Sequence, residues 1–337
     1  MLKINPLSTL YVGIDVSSKS NYICALDFFK NKYINSSFAN NQPGAEELAL
    51  KILECLNQHP DLTMVVAALE STSVYSIHIA NYLSSCEELM RFKPYVFVLN
   101  PKCTANYKKS YIGLGKSDPI DAFVIADYAR AGNIESEPWR GSQFLALKRL
   151  TRHRLHLVEC MTREKTYLIS NLYLKFSELQ MLEGDDQPFC DIYGATSSSV
   201  LMEYLSPEEI LASSEENLIA FLAEKSCNRI KDISKTADLL KKAARDSYRL
   251  DKALYEPLNV SIASSFNCIE TFKREIKVID NAIEKEIKGL NPNAFIILQS
   301  IDGIGPVFAG GIIAEIGDIT AFHSSDALAK YAGLTWK

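Results

Sequence analysis

Four carboxylates stand where a strand should end or a helix begin: Asp15 in YVGIDVSSK, Glu70 behind the apolar run MVVAAL, and Asp118 and Asp121 in KSDPIDAF. The i, i+3 spacing around Pro119 puts Asp118 and Asp121 on one side of a helix start, where the positive end of the helix favours them. Carboxylates on two strand ends and one helix start can converge on one cleft. Their charges would repel there, so such a cluster needs a cation, and oxygen donors select Mg²⁺ (or Mn²⁺). Two such ions about 4 Å apart stabilise both the attacking and the leaving oxygen of an in-line phosphoryl displacement. The chemistry expected is therefore metal-dependent work on phosphodiesters. Each acid alone has a plainer explanation, and Asp118 by itself reads as a helix N-cap. The combination carries the inference.

The elements that must position these acids read as a mixed α/β pattern. Residues 10–16 alternate, with Val12, Ile14 and Val16 on one face and Tyr11, Gly13 and Asp15 on the other. Gly13, lacking a side chain, lets a backbone or a substrate come close beside Asp15. Further strands are expected over 21–29, 33–39, 64–69 and 95–99, with helices over 45–57, 74–84 and 119–131, the last closed by Gly132. The order βββαβα, then a strand and helices, predicts a mixed sheet with helices on it within residues 1–138. Beyond it, residues 142–178 contain no Gly or Pro, and Phe144, Leu147, Leu150, Leu157, Met161, Leu168, Leu172 and Leu179 keep an approximate helical stripe. Ile269, Phe272, Ile276, Ile279 and Ile283 follow a second. These two long helices are expected to pair as an antiparallel coiled coil or to dimerise between chains; a bundle inside one domain is the simpler alternative. An acidic, turn-rich insert, 183–224, lies between them.

With 337 residues, 47% hydrophobic and 23% charged, the chain has room for two or three domains with cores of their own. No apolar run approaches the roughly 18 residues that span a bilayer, and no signal-peptide core opens the chain, so a cytoplasmic protein without a membrane partner is expected. The eight cysteines are scattered and never form CxxC, which argues for reduced, structural thiols. The net charge of -5 conceals blocks: residues 91–116 carry six bases and no acid, 183–224 ten acids and no base, and 225–252 nine bases against four acids. Segregation of this kind suits basic faces for a polyanion beside an acidic module, with an ordinary solvated surface as the plain alternative.

Two stretches could meet nucleic acid. Residues 148–165, KRLTRHRLHLVECMTREK, have six bases against two acids, and Lys148, Arg149 and Arg152 form a cationic helix face suited to phosphates, with Arg154 counted beside them. A solvated helix flank would look the same. Lys108, Lys109 and Lys116 precede the Asp118 helix and could hold a strand near the metals; Lys19, just after the first strand, is counted with them. Residues 298–315 read as helix, Gly303-Ile304-Gly305 turn, helix. In a helix-hairpin-helix of that form the turn's N–H groups and the second helix start take a DNA phosphate. A tight interhelical turn without ligand is the rival. His323 to Asp326 read as the N-cap region of a last helix, not as a serine site.

YVGIDVSSKSN, AALESTSVY, KSDPIDAFVIADYAR and the late SIDGIGPVFAGGIIAEIGDITAFHSSDALAKYAGL resemble, in matching order over nearly the whole chain, the DEDD-type insertion-sequence transposases. These are the bridge-RNA-guided recombinases of the one-ten family, which includes the pilin-gene invertases. The resemblance implies an α/β plus α architecture: a ribonuclease H-like (Holliday-junction-resolvase-like) domain over 1–138, a coiled-coil region with the acidic helical insert over 139–290, and the first part of a transposase domain with a helix-hairpin-helix over 291–337. It implies Asp15, Glu70, Asp118 and Asp121 as the metal-binding catalytic tetrad. The partners it implies are DNA, a guide (bridge) RNA, and further copies of the chain, as a dimer or tetramer through the coiled coil.

Ser73 stands where the family pattern leads one to expect glycine after the Glu-x-Thr element, a departure that affects loop shape. In the family a serine nucleophile lies just beyond the AKYAGL element, and the sequence reaches Trp336 and Lys337 without it. The expectation is a C-terminally truncated chain that binds but does not recombine. Three rivals stay open. An actin-like-fold phosphotransferase would use GIDVSSK and IDGIG as phosphate loops, although no duplicated βββαβα pattern is present. A junction resolvase or nuclease would use the tetrad without serine. A truncated, non-catalytic DNA- or RNA-binding repressor would use neither.

Overall fold

The computed structural model describes residues 4–134, 136–139, 141–317 and 319–334. Two compact units emerge, Met1–Ala146 with Ile316–Lys337, and Leu147–Glu315.

In the first unit, β1 (Thr9–Val16), β2 (Ser20–Leu26), β3 (Lys32–Ala39), β4 (Met64–Glu70) and β5 (Tyr95–Leu99) form one five-stranded sheet in the order β3-β2-β1-β4-β5. The short polar links after β1 and β2 permit only antiparallel pairing, so the first three strands make a meander. Parallel pairing needs a crossover, supplied between β3 and β4 by α1 (Gln42–Gln58) and between β4 and β5 by α2 (Tyr75–Ser85) with a 3-10 turn at Glu87–Phe92. The second strand ends earlier than its apolar run suggests. There the Asp27 carboxylate accepts bonds from the Asn31 backbone N–H at 2.9 Å and the Tyr33 hydroxyl at 3.0 Å, closing a turn with Lys30 at φ 67°.

Both faces of the sheet are covered. Leu10, Val12, Ile14 and Val16 point into a core with Leu48 and Ile52 of α1 and Ile79 and Leu83 of α2. On the opposite face Tyr11, Val66, Ala68 and Phe97 pack against Ala122, Ile125, Ala126 and Ala129. Those alanines and Ile125 belong to α4 (Asp118–Arg130), which follows a short helix, α3 (Pro101–Lys108). The sequence pattern does not predict α3, because Thr104 is its one buried residue and no apolar stripe marks it. Its start is nonetheless written locally: Asn100 caps the Lys102 N–H at 3.0 Å, with Pro101 in the first turn.

The second unit is helical. It comprises most of α5 (Ser142–Lys175) and then α6 (Ala195–Glu203), α7 (Pro207–Ala212), α8 (Glu215–Ser226), α9 (Ile233–Asp246), α10 (Lys252–Leu290), α11 (Pro292–Gln299) and α12 (Pro306–Ile316). Arg154 of α5 pairs with Asp280 of α10, while Leu168, Leu172 and Phe176 share a core with Ile262, Phe266 and Ile269. The two long helices therefore run antiparallel within one chain. The acidic insert folds as α6 to α8, burying Val200, Leu201, Ile210, Leu218 and Leu222 in the same core. A last helix, α13 (Ser325–Tyr331), belongs to the first unit and is capped as expected, with Ser324 Oγ accepting from the Ala327 N–H at 3.1 Å.

Among the described residues no helix is long and apolar enough to cross a membrane. All eight cysteines are free. Trp336 and Lys337, beyond the AKYAGL element, lie outside the described residues.

Candidate functional site

The parallel register of β1 and β4 runs to the Ile14–Leu69 pair, so Asp15 and Glu70 come next on neighbouring strands. Alternation puts them on the face of Gly13 and Ala68, which α4 covers. At the start of α4, Ser117 occupies the N-cap position, and Asp118 and Asp121 both lie in the first turn. Asp118 is thus part of the helix, and the plain N-cap explanation for it does not hold. Gly13 makes the approach possible. A Cβ there would lie 2.2 Å from the Ala122 carbonyl oxygen and 2.3 Å from the Ala126 nitrogen. The ligand-or-backbone question about this glycine resolves to backbone.

Three of the acids act on the fourth. Burial pushes the Asp15 carboxyl up, Asp118, Asp121 and Glu70 push it further, and Lys108 opposes them, leaving a pKa of about 6 against an ordinary 3.8. Beside the cluster opens a cleft of about 480 Å³, lined among others by Glu70, Thr104, Lys108, Lys116 and Asp121. The buried Thr104 hydroxyl donates to Glu70 Oε1, and Lys108 Nζ pairs with Asp121 Oδ1. Among the described residues no three Asp, Glu, His or Cys side chains form a ready-made metal cage, and Glu70 and Asp121 each have one of these partners. The donor chemistry still fits a hard divalent cation: every donor is oxygen, and three carboxylates bear on Asp15 against one ammonium.

Thr104 is the site residue that sequence reading missed. Lys108 was expected to contact nucleic acid, and its pairing with Asp121 was not foreseen. The signal lay in PKCTANYKKSY, where an Asn-Pro helix start followed by Thr104 and Lys108 at i, i+4 places both on one stripe.

The other basic candidates divide. Lys19, Lys109, Lys116 and Arg149 are exposed. Lys148 Nζ lies 2.8 Å from Glu315 Oε2, and Arg152 grips the same carboxylate through Nε at 2.9 Å and Nη2 at 3.1 Å. Burial would raise the Glu315 pKa, but these two cations hold it below the usual range. Arg154 pairs with Asp280. Of the candidates Lys148, Arg149, Arg152 and Arg154, three thus already face carboxylates of their own chain. Gly303, at φ 88°, sits in the turn between α11 and α12, and Gly305 immediately precedes Pro306.

A transposase family model for the DEDD type of the IS110 group matches residues 12–177, and a second, described as the transposase IS116/IS110/IS902 family, matches residues 296–337. The chain is 25% identical over 330 residues to the insertion element IS900 uncharacterized 42 kDa protein of Mycobacterium paratuberculosis, covering 96% of this chain and 76% of that protein. It is 24% identical over 342 residues to the insertion element IS116 uncharacterized 44.8 kDa protein of Streptomyces clavuligerus, covering 96% and 75%. Over 160 residues it is 26% identical to the pilin gene-inverting protein of Moraxella lacunata, covering 48% and 46%.

Proposed function

Because this chain belongs to the IS110-type family of DEDD transposases, we propose that the cleft beside Asp15, Glu70, Asp118 and Asp121 is the metal-binding part of a site that serves the breaking and rejoining of DNA strands. One observation carries this reading: Asp15 and Glu70 follow the Ile14–Leu69 pair on neighbouring parallel strands, on the face covered by α4, whose first turn holds Asp118 and Asp121. Under it, the four carboxylates hold Mg²⁺ or Mn²⁺, which when bound stabilises charge on the oxygens of the phosphodiester under attack. Thr104 keeps Glu70 oriented. Lys108 offsets part of the negative charge, and Lys19, Lys109 and Lys116 receive strand phosphates, a contact that carries affinity without sequence readout.

The sheet order, with an antiparallel meander joined to two parallel strands, supports a ribonuclease H-like assignment for residues 1–138. In this reading 139–290 forms the long-helix region and 291–337 begins a further domain, whose Gly303 and Gly305 turn binds a DNA phosphate as a helix-hairpin-helix. A guide RNA specifies the sites. Arg149, joined by Lys148, Arg152 and Arg154 where their carboxylate partners yield, meets its backbone or that of the DNA. Leu155, Tyr167 and Leu174 of α5 and Val278 of α10 are exposed, which supports association of further copies through the long helices.

The test is a Mn²⁺ titration of the wild-type chain and of Asp15→Asn and Asp121→Asn, followed by assay on paired DNA substrates with guide RNA. Metal and DNA binding by the wild type, with metal binding lost in both variants, is the expected result, and joined strands would show that the chain carries the whole reaction. Cut but unjoined ends would favour a nuclease, and absence of metal binding in the wild type would overturn the site.

A further inference from the structure

Asp127 is fully buried in α4, although the carboxylate cluster does not use it. A buried carboxylate persists only when its charge is met by close donors. Here Tyr107 donates to Oδ2 at 2.9 Å, Tyr111 donates to the same oxygen, Arg130 Nε stands 2.6 Å from Oδ1, and Lys30 Nζ is 3.3 Å away. Burial alone would raise its pKa, but the bonds from Tyr111, Arg130 and Tyr107 hold it below the usual range. Two of these donors come from α3 and the turn that follows it.

That origin matters because α3 has little apolar grip of its own, Thr104 being its one buried residue. Tyr107 and Tyr111 hold it by their hydroxyls and by edge contacts, Tyr107 on Tyr128 at 5.4 Å and Tyr111 on Phe123 at 6.1 Å between ring centroids. On the neighbouring stripe of the same helix, Thr104 bonds Glu70 and Lys108 pairs with Asp121. The helix thus joins two polar centres, one inside α4 and one at its start.

We propose that Asp127 is a positioning residue for the carboxylate site: through Tyr107 and Tyr111 it docks α3 on α4, and α3 delivers Thr104 and Lys108 to Glu70 and Asp121. The inference rests on reading the four acids as a metal site. It differs from a plain fold staple in one respect, since loosening α3 should weaken metal binding while the rest of the sheet stays folded.

Tyr107→Phe combined with Tyr111→Phe removes both hydroxyls and keeps the rings; Tyr107→Phe alone is the milder variant, and Thr104→Val removes the bond to Glu70. Mn²⁺ affinity by electron paramagnetic resonance and melting of the metal-free chain are measured on each. Supporting groups around a metal site are typically worth about 10- to 100-fold in affinity, so a loss of about tenfold is expected in the tyrosine variants and in Thr104→Val. Combining the changes should cost no more than the larger single effect, because both act on one contact. Unchanged Mn²⁺ affinity in a folded tyrosine variant, or losses that simply add, would overturn the proposal. If the wild type binds Mn²⁺, Asp15→Asn abolishes it and the tyrosine variants do not weaken it, this inference alone fails. If the wild type binds none, the metal reading fails with it.

Discussion

A Cβ built on Gly13 would stand 2.2 Å from the carbonyl oxygen of Ala122, so β1 and α4 meet backbone to backbone. That contact sets the distance between the strand carrying Asp15 and the helix start carrying Asp118 and Asp121. A side chain at position 13 would have to push α4 away, because the opposing atoms are main chain and have no rotamer to adopt.

Gly13→Ala is therefore expected to destabilise the chain by about 1–3 kcal/mol or more, the cost of overpacking a core. It should also lower the Asp15 pKa, since retreat of α4 removes part of its burial and its like-charged neighbours. Thermal melting reads the first effect and carboxyl titration by NMR the second. A folded variant with wild-type stability would show that the interface has slack.

The raised pKa of Asp15 makes stability depend on pH. Its folded value, about 6, exceeds the ordinary 3.8, so the folded chain binds this proton more tightly than the unfolded one. The stabilisation is full below 3.8 and is lost as pH rises through about 6. Melting of the metal-free protein across this window should show that decline in the wild type and a flatter profile in Asp15→Asn. Under the proposed function, Mn²⁺ affinity rises with pH over the same window, because the carboxylate must be deprotonated to bind.

Lys175 makes the opposite case in the helical unit. It is fully buried, its Nζ donates to the Leu201 carbonyl at 2.6 Å near the end of α6, and burial pulls its pKa down from 10.5 to about 8. The unfolded chain then holds this proton more tightly, so the penalty is present below about 8 and is relieved as pH rises toward 10.5. Lys175→Met should remove that upward slope in stability, which chemical denaturation at pH 8 and pH 10 would detect.

Ser73 adopts φ 51°, in the left-handed region that disfavours residues with a side chain. Ser73→Gly should stabilise the chain by up to about 1 kcal/mol, the gain being limited by the greater freedom of glycine in the unfolded state. The midpoint of denaturant unfolding is the measurement, and a lower midpoint would mean that the serine side chain makes a contact worth more than the strain.

Much of the first unit was legible in the sequence because its determinants are local. Alternation over residues 10–16 put Asp15 on the same face as Gly13, the run Tyr95–Leu99 was a strand as read, and Asp118, Pro119 and Gly132 marked the ends of α4. These features follow from strand and helix periods and from turn chemistry, which a few neighbouring residues express. What Gly13 admits, where α3 goes and which residues face Lys108 and Asp127 were decided only by tertiary packing. A helix with one buried residue leaves no periodic trace, and a carboxylate such as Asp127 looks like any surface acid until its donors arrive from positions 30 and 107. The basic helix makes the same point, since Arg152 meets Glu315 across 163 positions of chain. A charge pattern read along the sequence says which side chains are available, and only the close approach of distant segments determines which of them are already paired.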